Sequence, residues 1–336
     1  MCRLTLKVLI LVVVTIFFGC IRKTQFIEIE KKNAYKSIET VSDSIFFKNV
    51  GLITNKDSKI YILDNTHKRI VLCDKDLKYL NFYGKGGKGP GELLYPSSFE
   101  VCDDRSIIIR DGKNIQFFDE KGEFIVNWKT DFLNLSSKLA VDREYNLYVS
   151  TPDKKLPISV FNKQGELINN FGQEIIIEGS SQVQKYTVND RHLFITENNR
   201  LVAVSLFQPI IEIYNTLGEL LIEKHFDNQI VNSRLEYANE KQKSNPQTTV
   251  QLFSNAYFYK NKLFIMTLDH INTNVKVTSN KIIVFDITER QIKINKIIEL
   301  NSSESNLGFF TAFCVFDNNQ LLAYDHLTGS FRFFKL

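Results

Sequence analysis

Two side chains, Glu100 and Asn255, are the best candidates for metal ligands on the short apolar segments that we expect to line the centre of the fold. A divalent metal such as calcium needs several converging oxygen ligands, so two side chains are too few for a closed site. The chain of 336 residues has five His, none paired at short spacing, and contains neither a Gly-x-Ser-x-Gly nor a His-Glu-x-x-His motif. The sequence therefore predicts no resident cofactor, with calcium as the one metal to be tested, and favours a binding protein over an enzyme.

A glycine-rich segment, Gly84-Lys-Gly86-Gly-Lys-Gly89, matches the spacing of a dinucleotide-binding fingerprint. That chemistry needs a helix whose amino terminus faces the pyrophosphate, whereas Pro90-Gly91 follows here and no helical periodicity comes after it. The formal net charge of +4 is also too small for a dedicated nucleic-acid binder. We therefore expect a loop at 84–96, and neither a nucleotide nor a nucleic acid as a partner.

The first twenty residues have the organisation of a secretory signal. Arg3 and Lys7 precede an apolar run from Val8 to Phe18, which is too short to span a bilayer as a helix. A small residue and then Cys20 follow, and this arrangement resembles the lipobox of bacterial lipoproteins, in which the cysteine is lipidated after removal of residues 1–19. The alternatives are an uncleaved membrane anchor and soluble secretion, and all three export the body of the chain.

A repeat runs through the rest of the chain. Six segments alternate β-branched and aromatic residues at intervals of 45, 43, 53, 71 and 49 residues: Ile70–Asp74, Ile115–Asp119, Ile158–Asn162, Ile211–Asn215, Ile282–Asp286 and Phe331–Lys335. Another short apolar run precedes each segment, and the middle copies continue into turns that contain Gly-Glu. Such alternation, bounded by turn residues, predicts strands and hairpins. Six units of this length are typical of the blades of a β-propeller.

We therefore expect an all-β fold, a six-bladed β-propeller over residues 26–336 that follows a lipidated tether at 20–25. The predicted blades are 50–83, 97–130, 137–172, 186–226, 254–300 and 311–336. The expected innermost strands are Gly51–Thr54, Phe99–Cys102, Lys138–Val141, Tyr186–Val188, Asn255–Phe258 and Thr311–Cys314. The last blade has room for only three strands, so an N-terminal strand at about 26–48, from Phe26–Glu30 or Ser37–Val41, must pair with it and close the ring. A pair of β-sandwiches or a two-domain all-β protein is the alternative.

The first blade resembles an NHL repeat. Ile60–Asp74 is similar to the second and third strands of that repeat, and Gly84–Pro96, with its Gly-Pro-Gly-Glu, is similar to the exit into the next blade. This wording is typical of the NHL-like six-bladed propeller lipoproteins of Bacteroidota, and the resemblance implies an exported binding or scaffolding module. Surface lipoproteins of that group carry acidic residues behind the lipidated cysteine, whereas Arg22-Lys23 follows Cys20 here. We therefore expect a lipid-anchored protein of the cell envelope that faces the periplasm.

Insertions concentrate on one face of the predicted propeller. The turn between the second and third strands of a blade emerges on the same face as the crossover to the next blade, and the insertions at 84–96, 227–253 and 269–281 all fall there. Residues 232–247 are expected to form a short helix or a polar loop. We expect this face to bind a peptide, protein or glycan, and the candidate contacts are His67, Lys85, Lys88, Arg110, Arg234, Tyr237 and His270. The alternative is a metal-dependent lactonase-like or lyase-like propeller enzyme, with Glu100 and Asn255 as metal ligands in its channel.

Overall fold

Six antiparallel sheets follow one another along the chain in a computed structural model, which describes residues 27–42, 45–131, 137–177, 179–270, 277–302, 308–316 and 319–336. Each sheet is a blade of a β-propeller in which neighbouring strands along the chain are paired. The fold class predicted from the repeat is confirmed. The predicted signal peptide, Cys20 and the tether lie outside the described residues.

The strands of the six blades are short, with five to seven residues in most cases. Blade 1 contains Val50–Lys56, Lys59–Asp64, Arg69–Asp74 and Tyr79–Tyr83, and blade 2 contains Pro96–Val101, Ile107–Asp111, Asn114–Phe118 and Phe124–Lys129. Blade 3 contains Ala140–Val141, Leu147–Ser150, Ile158–Phe161 and Leu167–Phe171, and blade 4 contains Arg191–Ile195, Leu201–Ser205, Ile210–Tyr214 and Leu220–His225. Blade 5 contains Phe253–Tyr259, Lys262–Thr267, Lys281–Ile287 and Ile292–Asn301, and blade 6 contains Phe310–Phe316, Gln320–Asp325 and Ser330–Lys335.

The turns between the third and fourth strands repeat one device. Asp119, Asn162 and Asn215 each accept hydrogen bonds from the backbone N–H groups two and four residues further on, at 2.8–3.0 Å. Such side chains replace backbone partners in tight turns, and the glycine at the fourth position supplies the positive φ that the turn requires. In blade 4 this residue is Gly218, with φ 85°. The Asp/Asn-x-x-Gly-Glu motif of the sequence therefore encodes these turns.

The ring is closed by the N-terminal segment, as the incomplete last blade requires. Lys36–Ile38 pairs antiparallel with Ser330–Lys335 and supplies the fourth strand of blade 6. The earlier of the two predicted stretches has a different place, because Ile29–Asn33 pairs parallel with Ile292–Asn301 and adds a fifth strand to blade 5. Closure is confirmed, and the N-terminal segment covers the outer edges of two blades rather than one.

The prediction for the innermost strand of blade 4 was wrong. Tyr186–Val188 lies in helix α1, Gln182–Asn189, and the innermost strand is Arg191–Ile195. The helix forms because Ser181 and Gln184 make a reciprocal capping box, in which each side chain accepts a hydrogen bond from the other residue's backbone N–H. The Ser-x-x-Gln spacing was the available signal.

A second helix, α2, spans Gln229–Ser244 in the crossover from blade 4 to blade 5 and is longer than the expected one or two turns. Asn228 caps it by accepting hydrogen bonds from the N–H groups of Ile230 and Val231, both at 3.0 Å. Short strand pairs complete the chain: Thr40–Val41 with Ile45–Phe46, Lys85–Gly86 with Glu92–Leu93, and Asp269–His270 with Val277–Thr278. None of the described helices combines the length and apolar character needed to cross a bilayer.

Candidate functional site

The propeller has two ends with different structures. The insertion face, at the amino ends of the innermost strands, carries the crossovers between blades and the turns between second and third strands. Lys68 Nζ in such a turn donates to the carbonyl oxygen of Leu94 at 2.6 Å, which ties blade 1 to the glycine-rich crossover on this face. The turn face, at the opposite end, carries the remaining hairpin turns and the mouth of the central channel.

The glycine-rich crossover at 84–96 is folded around one carboxylate. Glu92 accepts hydrogen bonds from the backbone N–H groups of Lys88 and Gly89 at 2.9 and 2.8 Å, and Lys85 Nζ lies 3.3 Å from its other oxygen. These contacts, first the N–H of Gly89 and then the Lys85 ammonium, hold the pKa of Glu92 below its ordinary value. The side chains of Lys85 and Lys88 are exposed on the insertion face. The loop is thus an ordered platform.

His67 and Arg110 are used within the fold. His67 Nδ1 lies 2.8 Å from the carboxylate of Asp64, a fully buried side chain that also accepts from Arg69 Nε at 3.2 Å. The Arg110 side chain is fully buried, and burial lowers its pKa to about 10 against the opposing effect of the Asp190 and Asp153 charges. His67 therefore remains half-exposed on the insertion face, whereas Arg110 lies beneath that face.

Helix α2 brings two further candidates to the insertion face. Arg234 is buried, and its Nε and Nη2 donate to the carbonyl oxygen of Gln251 at 3.0 and 2.9 Å. The ring centroid of Tyr237 lies near two cations, 5.3 Å from the Arg234 guanidinium and 5.4 Å from Lys241 Nζ. Arg234 therefore anchors the helix, while Tyr237 stays partly exposed. His270 lies in the short strand Asp269–His270, against which α2 packs.

The central channel opens at the turn face into a cavity of about 290 Å³, the channel cavity. It is lined by the carboxyl-terminal parts of the innermost strands of blades 1 to 5. Apolar wall residues include Leu52, Phe99, Val101, Phe194 and Tyr257. This end of the channel was not singled out from the sequence.

Two opposite charges face each other in the channel cavity. Glu100 comes from the innermost strand of blade 2, and Lys138 lies two residues before the first residue of the innermost strand of blade 3. The fold holds Lys138 in place by its backbone, since its N–H donates to His192 Nδ1 at 3.1 Å and its carbonyl oxygen accepts from Leu193 N–H at 3.0 Å. Burial raises the pKa of Glu100 to about 7 and lowers that of Lys138 to about 8, and the charge of each opposes the shift of the other.

Other blades complete the surroundings of this pair. His192 is buried, and burial together with the Lys138 charge lowers its pKa to about 3. Because its Nδ1 accepts the Lys138 N–H, the neutral ring carries its proton on Nε2. The Tyr257 hydroxyl accepts from the N–H of Asn55 at 3.2 Å, and the thiol of Cys314, with its pKa raised by burial, faces Lys138. Five blades besides that of Glu100 thus contribute to one polar centre.

The two residues proposed as metal ligands do not form a metal site. Asn255 is buried and its amide is used, because Nδ2 donates to Thr311 O at 3.1 Å and Oδ1 accepts from Ala256 N–H at 2.8 Å. Glu100 faces the ammonium of Lys138, a cation that disfavours a second cation. Within the described ranges, no three His, Cys, Asp or Glu side chains converge. This donor set does not fit a divalent metal.

Lys138 and His192 are channel residues that were not predicted from the sequence. Lys138 was placed on an innermost strand, and a lysine at the start of an otherwise apolar strand was the available signal. His192 was assigned to no element, because the innermost strand of blade 4 was placed at Tyr186–Val188.

Similar solved structures share the fold at low sequence identity. A member of the DUF4221 family from Bacteroides vulgatus has a TM-score of 0.59 at 12% identity, with 93% of this chain and 98% of that chain covered. A Bacteroides fragilis protein described as exported has a TM-score of 0.57 at 16% identity, with 88% of both chains covered. Virginiamycin B lyase from Staphylococcus aureus has a TM-score of 0.52 at 11% identity, with 90% of this chain and 98% of that chain covered. At these identities the likeness shows the fold alone.

Two sequence comparisons complete the picture. Protein brain tumor of Drosophila melanogaster is 24% identical over 136 residues, which cover 39% of this chain and only 13% of that protein. The model of a family described as a six-bladed β-propeller, DUF5128, matches residues 18–321, which is most of the chain. The protein therefore belongs to the six-bladed β-propeller family DUF5128.

Proposed function

We propose that this protein is an exported, lipid-anchored binding module that docks a protein partner on its insertion face. The observation that carries the proposal is the distribution of exposed apolar side chains. Among the described turns, links and crossovers, the insertion face presents Phe46, Tyr95, Leu156, Ile176, Val183 and Leu327, whereas the turn face presents Leu217 and Tyr35. A face with several exposed apolar side chains is a candidate for a surface that a partner covers.

Order in the underlying backbone supports docking on this face. The Gly-rich crossover is held by Glu92, and α2 is held by Arg234, so both present their side chains from a fixed framework. A framework that is already ordered loses little conformational entropy on binding. An aromatic and aliphatic set of side chains suits a protein or peptide better than a glycan.

The path of the N-terminal segment supports an orientation relative to the membrane. Strand Ile29–Asn33 runs parallel to the last strand of blade 5, and that strand runs from the turn face towards the insertion face. The eight residues between Cys20 and Ile29 span at most about 30 Å. A lipid anchor at Cys20 would therefore hold the turn face nearer the membrane and direct the insertion face away from it. The NHL-like sequence of blade 1 and the signal-like first residues support the proposal that the protein is exported and lipid-anchored.

The test compares two leucines in equivalent turns on opposite faces. Leu327 and Leu217 are 64% and 74% exposed, and each donates its backbone N–H to an Asp or Asn side chain two residues earlier. Wild type, Leu327→Glu and Leu217→Glu proteins are cross-linked in the source cells, and cross-linked partners are quantified by mass spectrometry. We expect one partner to be shared by wild type and Leu217→Glu and to fall at least about tenfold in Leu327→Glu, since a buried unpaired charge costs more than 1.4 kcal/mol.

A partner that is equally recovered with both variants would contradict docking on the insertion face. If no protein is cross-linked and the purified protein binds to a glycan array, the partner is a glycan and the proposal of a protein partner is wrong.

A further inference from the structure

The channel cavity has the chemistry of a site for a small zwitterion, independently of docking on the insertion face. We propose that it binds a free amino acid with an apolar side chain, whose carboxylate contacts the ammonium of Lys138 and whose ammonium contacts the carboxylate of Glu100. Three features support this assignment: the size of the cavity, two charges that form no ion pair within 4.0 Å, and the apolar side chains of the cavity wall.

The size of the cavity fits one small molecule. Its volume is about 290 Å³. At about 30 Å³ for each water, this is room for a ligand of about ten non-hydrogen atoms. Pockets for drug-sized ligands start near this volume, at about 300 Å³. An amino acid of the size of leucine therefore fits, and a folded partner does not.

Lys138 is a buried cation that lacks an anion. Its side chain is 6% exposed, and its Nζ lies 4.9 Å from the ring centroid of Tyr257 and 5.3 Å from that of Phe194. In the part of the chain that the structure describes, this Nζ has no hydrogen bond, and no carboxylate lies within 4.0 Å of it. Two aromatic faces stabilise a cation but accept none of its N–H groups as strongly as an oxygen does. A carboxylate of a ligand would complete this environment.

The carboxylate of Glu100 lacks hydrogen-bond donors within the described ranges, just as Lys138 lacks an anion there. Glu100 is half-buried in the channel cavity, and among the described residues its carboxylate accepts no hydrogen bond. The other nearby cation, Lys56, is already paired with Asp103 at 2.6 Å at the rim. Glu100 and Lys138 form no ion pair within 4.0 Å and both line the channel cavity, so one ligand in the cavity can contact both. An ammonium group on that ligand would supply the missing donors.

The wall around the two charges is apolar. Leu52, Phe99, Val101 and the rings of Phe194 and Tyr257 line the cavity. A ligand side chain that packs against them is removed from water, and this favours aliphatic and aromatic amino acids over polar ones.

The first test is isothermal titration calorimetry of the full chain in detergent with four probes. Leucine carries both charges, leucinamide lacks the carboxylate, 4-methylpentanoate lacks the ammonium, and sulfate is an anion alone. We expect leucine to bind and each analogue that lacks one charge to bind at least about tenfold more weakly, as the loss of one charged contact predicts. The proposal is wrong if leucine does not bind, if an analogue binds as well as leucine, or if sulfate alone binds.

The second test uses variants with a matched control. We expect Lys138→Met to lose leucine binding by at least about tenfold. Lys163→Met is the control, because Lys163 Nζ also lies over a ring, 4.7 Å from the centroid of Tyr145, but outside the cavity. If Lys138→Met does not fold, the double variant Glu100→Gln/Lys138→Met replaces it, since this variant leaves neither charge unbalanced. Unchanged leucine affinity in the folded channel variant would overturn the assignment.

Discussion

Replacing the two opposite charges of the channel cavity, Glu100 and Lys138, should make the protein more stable. The double variant Glu100→Gln/Lys138→Met keeps the approximate volumes of both side chains and removes both charges from the channel cavity. Apolar or neutral replacements of buried ion pairs are often neutral or stabilising by about 1–4 kcal/mol, because the desolvation of the two charges exceeds their attraction. Here the attraction is weak, since the two charged groups are not in contact within 4.0 Å.

The size of the expected gain in stability follows from the pKa of Glu100, which burial raises from its ordinary value of 4.5 to about 7. The folded state binds this proton more tightly than the unfolded state, so the contribution of Glu100 is fully present below pH 4.5 and is lost as pH rises through 7. At about 1.4 kcal/mol for each tenfold change in proton affinity, the loss is about 3 kcal/mol at most. Glu100 keeps contact with water through the channel mouth, so we expect about 1–3 kcal/mol.

The pKa of Lys138 is lowered to about 8, so this group also lowers the stability of the folded state near neutral pH. Its contribution to stability is present above the ordinary pKa of 10.5 and is lost as pH falls through 8. Near pH 7.5 both groups therefore lower the stability of the wild type. The charged groups that act on Glu100 are Lys138, Lys56 and Asp103, and the titratable groups around Lys138 are Glu100, His192 and Cys314.

The assay is urea unfolding of wild type and double variant at about pH 5 and about pH 7.5. We expect the advantage of the double variant to grow between these two pH values and to reach about 1–3 kcal/mol at the higher one. The exposed pair Lys262–Asp286, replaced by Met and Asn, is the control and should show no such growth. A double variant that is less stable at about pH 7.5, or an advantage that is the same at both pH values, would refute the reasoning.

Three further predictions concern the fold and the anchor. Glu212→Gln removes the carboxylate that lies 2.8 Å from the buried Arg191 and should lower the free energy of unfolding by about 3–5 kcal/mol. The control, Glu120→Gln, removes the exposed partner of Arg105 and should leave the urea midpoint nearly unchanged. Equal shifts in the two variants would contradict the role of burial. Gly218→Ala places a Cβ 2.5 Å from the ring of Phe171 in the preceding blade, at φ 85°, and should lower the free energy of unfolding by about 2–4 kcal/mol in thermal unfolding. This loss should be about twofold larger than that of Gly179→Ala, whose Cβ meets open space. Similar losses would show that the contact with Phe171 relaxes. Cys20→Ser should move the protein from the membrane to the soluble fraction on cell fractionation, and a variant that stays with the membrane would rule out the lipid anchor.

Parts of the site could be predicted because they follow from local patterns. The insertions at 84–96 and 227–253 were placed on one face from the topology of a blade alone, and Lys68 and Leu94 meet there as that topology requires. The buried state of Arg110 could not be predicted, because an arginine beside Asp111 at the end of a strand is usually exposed, and only its position under the insertion face separates it from solvent. The same limit applies to Asn255, whose amide is used by the neighbouring blade.

The sequence by itself determined most of the strands, the sixfold repeat and the need for closure. Alternation, turn residues and a last unit with only three strands are local properties, so they can be recognised without coordinates. Only the tertiary structure decided that Glu100 and Lys138 face each other near His192, because each comes from a different blade and the register of separate sheets brings them to one channel. It also decided which N-terminal stretch closes the ring, since Ile29–Asn33 and Lys36–Ile38 are both suitable strands and differ only in which exposed edge each one reaches.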